Sequence, residues 1–85
     1  DIAILLDFFL NRYSKNLNKP VNGFTEDAKQ LLLQYSWPGN VRELKNTVEY
    51  AVHMTNTDWI DITDIPERIK NNAKRDLEDN DILIV

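Results

Sequence analysis

The chain has 85 residues, no cysteine, one histidine (His53) and a formal net charge of −4. That length holds one small core and not two, and the composition excludes disulfides, thiol nucleophiles, thiolate metal sites and a metal centre built on His53 alone. The acidic balance argues against a free-standing nucleic-acid binder, and with its two glycines at Gly23 and Gly39 the chain has neither a G-x-x-x-x-G-K-[ST] nor a G-x-G-x-x-G phosphate-cradling loop.

Along the chain, Asp1 to about Asn16 places Ile2, Leu5, Leu6, Phe9, Leu10 and Tyr13 on one helical stripe. Ile4 and Phe8 fall off it, so this first helix is expected to meet a second surface as well. Asn16 to Gly23, with Lys19-Pro20 and Asn22-Gly23, reads as loop. A second helix is expected from Thr25, whose hydroxyl suits an N-cap and whose followers Glu26 and Asp27 suit the positive first turn. Ala28, Leu31, Leu32 and Tyr35 form its inward face.

Trp37-Pro38-Gly39-Asn40 then breaks the chain. Asn40 is read as the N-cap of a third helix, with Glu43 completing a capping-box-like pair. Val41, Leu44, Val48, Ala51 and Val52 supply that helix's apolar stripe, which fades by Met54. Asn56 to Asp58 reads as a turn and Trp59 to Ile62 as short and extended. Asp64-Ile65-Pro66 looks like the opening of a fourth helix, anchored by Ile65 and Ile69. Asn71 to Asp81 is strongly polar, and Ile82 to Val85 is a β-prone apolar end. The expected fold is all-α: a four-helix domain over residues 1–70, with 71–85 as a tail or truncated linker. No run is long and apolar enough for a membrane span. Asp1 opens without a basic n-region, so no signal peptide is expected and the chain reads as soluble and cytoplasmic.

Arg42 is the residue whose position most needs a reason. A cation in the first turn of a helix opposes the macrodipole by roughly 0.3–1 kcal/mol. An anion such as a phosphate, met there by free N–H groups and a guanidinium, supplies that reason. A surface pairing with Glu43 or Glu49 is the plain alternative, though neighbours at i,i+1 do not face each other on a helix. Trp37 and Pro38 read as structural, wedging and fixing the turn. Val41 reads as core unless the helix start faces a ligand, and His53 as a surface group near a helix C-terminus. Asp58, Asp61 and Asp64 lack the calcium-loop pattern, so a solvated turn is expected and no metal site.

The string Trp37-Pro38-Gly39-Asn40-Val41-Arg42-Glu43-Leu44, continued by Lys45-Asn46-Thr47-Val48-Glu49, closely resembles the sensor II region of sigma-54-dependent transcriptional activators, the bacterial enhancer-binding proteins of the AAA+ ATPase class. The resemblance runs from Asp1 to about Ile69. Phe9-Leu10 sits in a stretch like the family's first lid helix, and Phe24 to Ala28 with Leu31, Leu32 and Tyr35 in one like its second. Ile60 with Asp64-Ile65-Pro66 is similar to its closing element, isoleucine standing for leucine. The resemblance implies a small helical AAA+ lid in which Arg42 reaches the terminal phosphate of ATP and Val41 packs near the base or ribose. It implies as partners an ATPase core holding ATP and Mg, neighbouring subunits of a ring, and sigma-54 RNA polymerase. Walker A and Walker B motifs do not occur in this sequence, so no catalysis is expected from the chain alone.

Two other classes compete. The second and third helices have the outline of a helix-turn-helix, but Arg42 and Lys45 stand against Glu43 and Glu49 where several phosphate-contacting cations are needed; no direct DNA contact is expected. A protein-interaction bundle would use Ile4, Phe8 and Ile82 to Val85 as its surface and pair Arg42 with a partner's carboxylate.

Overall fold

The computed structural model describes residues 2–71. Three helices carry the chain: α1 (Ile2–Asn16), α2 (Glu26–Gln34) and α3 (Asn40–Met54), and residues 67–71 open a fourth. The architecture is the all-α, four-helix one expected. Expectations for residues 72–85, including the apolar end Ile82 to Val85, lie outside the described residues.

α1 buries Leu6, Phe9, Leu10 and Tyr13 against α3, whose inward face is Leu44, Thr47, Val48, Ala51 and Val52. Ile4 and Phe8 stand in solvent at 67% and 55% exposure. The helix stops at a left-handed Asn18 (φ 52°). The amides of Asn18 and Lys19 turn back to the carbonyls of Lys15 and Ser14 at 3.1 and 2.9 Å, a Schellman closure that asparagine tolerates. The loop after it is clamped to the far end of α3 by Lys19 Nζ, which donates to the His53 carbonyl at 2.8 Å.

α2 begins as the sequence indicates. Thr25 accepts from the Ala28 amide at 3.2 Å, and Ala28, Leu32 and Tyr35 are buried. The same Thr25 hydroxyl donates to Asp61 Oδ1 at 3.1 Å, joining the α2 cap to a segment 36 residues later. That joint extends a feature the pattern does not announce. Gly23–Phe24 (β1) and Trp59–Ile60 (β2) pair in parallel, Gly23 opposite Trp59 and Phe24 opposite Ile60. Gly23 is therefore strand and not loop.

The start of the fourth helix also differs from expectation. Ile62–Asp64 forms a 3-10 turn with a capping box, Asp61 accepting from Ile62 and the Asp64 carboxylate from the Asp61 amide. Helical geometry resumes only at residue 67, one position past Pro66. Asp61 and Asp64 are thus engaged as caps. Ile65 and Ile69, at 2% and 0% exposure, are the expected anchors.

Candidate functional site

The turn between α2 and α3 is built around a buried tryptophan. Trp37 is 5% exposed and meets Tyr35 edge-on, with ring centroids 4.8 Å apart. Its Nε1 donates to the Leu32 carbonyl. Its backbone is left-handed, φ 54°, unusual for a bulky residue and doubly so before proline. Burial of the ring and the indole hydrogen bond hold that conformation in place.

Asn40 is left-handed as well, φ 58°, and this corrects its reading as an N-cap. A capping residue keeps a β-region backbone that aims its side chain at the following amides. Gly39 occupies the capping position, and no side chain caps α3. The reciprocal half of the box survives one residue early: Glu43 Oε1 accepts from the Gly39 amide at 2.9 Å.

Glu43 has further partners. Its Oε2 accepts from the Tyr35 hydroxyl at 3.0 Å and lies 3.5 Å from the Arg68 guanidinium. Arg68 also reaches Thr47 Oγ1, one turn along α3, at 3.4 Å. One carboxylate, 15% exposed, therefore ties the end of α2, the turn and the fourth helix to the first turn of α3.

That arrangement bears directly on Arg42. Its plain alternative partner, Glu43, is committed elsewhere. Arg42 and Glu49 are both exposed, and among the described residues no hydrogen bond or ion pair engages Arg42. The guanidinium sits at the start of a helix whose first amides have no side-chain cap.

Val41 is a correction to the core. The spacing to Leu44 puts it on the apolar stripe, yet it is 51% exposed. Val41 instead lines an apolar pocket of about 230 Å³ with Ile2, Leu5, Ser36, Trp37, Asn40 and Leu44. Periodicity alone cannot show this, because an apolar residue facing a ligand cleft has the same spacing as one facing the core.

The remaining candidates are spread out. His53 is exposed at the far end of α3, and Pro38 is exposed within the turn. Leu44 is buried at 2%. Among the described residues no group of histidine and carboxylates is placed to hold a metal ion, and no helix is long and apolar enough to cross a membrane.

The start of α3 thus brings together a guanidinium with no partner among the described residues, a first turn without a side-chain cap and a small apolar pocket. The family model described as AAA+ ATPase lid domain matches residues 1–82. The chain is 44% identical over 66 residues to the transcriptional regulatory protein ZraR of Salmonella typhi, covering 78% of this chain and 15% of that protein. It is 41% identical over 81 residues to ZraR of Klebsiella oxytoca, covering 95% of this chain and 18% of that one. To the alginate biosynthesis transcriptional regulatory protein AlgB of Pseudomonas putida it is 53% identical over 51 residues, 60% of this chain and 11% of that protein. The chain therefore spans less than a fifth of the length of these curated relatives.

Proposed function

The chain belongs to the AAA+ ATPase lid domain family, and from that membership we propose that it is the nucleotide-sensing lid of an ATP-hydrolysing, sigma-54-dependent transcription activator. The observation that carries the reading is the Arg42 guanidinium, without a partner among the described residues, beside a carboxylate already held by Gly39, Tyr35 and Arg68. A structural arginine at this place would take Glu43 or Glu49; this one is left for a ligand.

The mechanism is one of differential contact. A charge-assisted hydrogen bond from a guanidinium contributes roughly 1.5–3 kcal/mol. ATP and ADP differ by one phosphate, so a contact made only to that phosphate biases lid position by about tenfold or more. Val41 and the pocket it lines give an apolar surface for the base or ribose, with the phosphates and Mg held by an ATPase core bearing the Walker motifs. Hydrolysis belongs to that core. The lid's contribution is to pass the nucleotide state to the neighbouring subunits of a ring, and through them to sigma-54 RNA polymerase. The relatives' description as transcriptional regulatory proteins supports this setting.

Arg42→Ala in the full-length protein tests the reading. Loss of ATP hydrolysis or of nucleotide-dependent ring assembly is the expected result. Unchanged hydrolysis together with unchanged assembly would sink it.

A further inference from the structure

We propose that Glu43 is the positioning residue for Arg42: it fastens the turn that precedes α3, whose first amides have no side-chain cap, and sets the direction in which the neighbouring guanidinium leaves the helix. The inference rests on the reading of Arg42 as a phosphate sensor and adds the device that aims it.

The first turn of α3 has no side-chain cap; it opens on left-handed Asn40 and follows left-handed Trp37 and Pro38-Gly39. Such a helix start has an open choice of pitch unless something fixes it. Glu43 supplies the constraint from inside the helix. Oε1 holds the Gly39 amide at 2.9 Å, so the turn is drawn onto the helix it starts. Oε2 takes the Tyr35 hydroxyl at 3.0 Å and faces Arg68 at 3.5 Å, so the helix start is referenced to α2 and to the fourth helix. Gly39 is the residue that admits this arrangement, since a Cβ there would lie 2.8 Å from the Glu43 Cβ. Arg42 precedes Glu43 directly. Any rotation of Glu43's turn swings the Arg42 side chain away from wherever the terminal phosphate lies.

A recognition group must be held to within about 0.5 Å and 10–20° to be effective. Glu43 is therefore required for discrimination between ATP and ADP without touching either. Val41 and the apolar pocket, fastened by Trp37 and Leu44, keep their contribution to both nucleotides.

The experiment measures the affinity of the full-length protein for a non-hydrolysable ATP analogue and for ADP, with four variants. Arg42→Ala is the control for sensing itself. Glu43→Ala is expected to weaken the analogue by about tenfold and to leave ADP within about twofold. Glu43→Gln, whose amide oxygen can keep the Gly39 contact while its NH2 group donates to the Tyr35 hydroxyl oxygen, is expected to restore most of the difference. Tyr35→Phe removes one hydroxyl alone and serves if Glu43→Ala proves unfolded by circular dichroism; it is expected to lower the analogue-to-ADP preference about threefold. A purely structural role for Glu43 would weaken both nucleotides together, and that result, or no change in either, overturns the proposal. If Arg42→Ala leaves the preference unchanged, the sensing reading itself falls. If Arg42→Ala lowers it while Glu43→Ala and Tyr35→Phe do not, sensing stands and only the positioning role is lost.

Discussion

The indole of Trp37 donates to the carbonyl oxygen of Leu32 across 2.9 Å, so the turn that launches α3 is fastened to the last turn of the helix before it. This single bond satisfies a carbonyl at the C-terminal end of α2, where intrahelical partners run out. It also anchors a left-handed tryptophan in front of a proline. Trp37→Phe keeps an aromatic ring and removes the donor, leaving the Leu32 carbonyl buried and unpaired. The expected loss is about 1–3 kcal/mol. At roughly 4–8 °C per kcal/mol for a domain of this size, thermal unfolding followed by circular dichroism resolves it easily. An unchanged Tm would show that the ring's packing, and not its hydrogen bond, holds the turn.

The two glycines make a matched pair for a second prediction. A Cβ at Gly39 meets the Glu43 Cβ at 2.8 Å, an atom fixed to the α3 backbone; a Cβ at Gly23 meets the edge of the Trp59 ring at 3.0 Å. Trp59 is half exposed, so its ring has room to yield. Gly39→Ala is expected to cost about 1–3 kcal/mol through forced displacement of Glu43, and Gly23→Ala under about 1 kcal/mol. Denaturant midpoints of the two variants give the ordering directly. Equal costs would mean that the Glu43 contact relaxes as readily as the tryptophan does.

The helices and their inward faces were legible because each carries a local signal: the stripe from Ile2 to Tyr13, the Thr25 cap, Ile65 and Ile69 one turn apart. The candidate residues around the start of α3 stand out in the sequence through one dense motif and the charge misfit of Arg42. What escaped is of two physical kinds. The β1–β2 pairing joins residues 36 positions apart, and two-residue strands show no alternation to read. The left-handed backbone at Trp37 is held by tertiary packing against the residue's own preference, and that at Asn40 is one asparagine tolerates as readily as it serves as a cap. Misplacing the cap on Asn40 followed from the second, since a local rule assigned it a β-region backbone.

Asn40 gives a third prediction from that same backbone. At φ 58° an ordinary L-residue is disfavoured by roughly 1–2 kcal/mol, and asparagine and glycine are the tolerated exceptions. Asn40→Gly is therefore expected to leave stability within about 0.5 kcal/mol, while Asn40→Val, β-branched and bulky, is expected to cost about 2 kcal/mol. An N-cap would behave differently, because its side-chain oxygen is what stabilises, and the loss on replacement by alanine comes from the lost bond. Urea unfolding of Asn40→Gly and Asn40→Val, with Asn40→Ser as the capping control, separates the two. A serine as stable as the native asparagine would restore the capping reading.

Arg42 and Glu43 are adjacent in sequence and opposite in structural duty, and the contrast is the sharpest stability test. Arg42 is exposed and, among the described residues, unpaired, so Arg42→Ala in this chain is expected to change stability by no more than about 0.5 kcal/mol. Glu43→Ala releases the Gly39 amide, the Tyr35 hydroxyl and Arg68 at once, with an expected cost of about 1–3 kcal/mol. A residue kept for a ligand shows this signature: expendable for folding, required for what the fold does. If Arg42→Ala destabilised the chain as much as Glu43→Ala, Arg42 would be holding the domain together, and an arginine occupied in that way could not also be free to meet a phosphate.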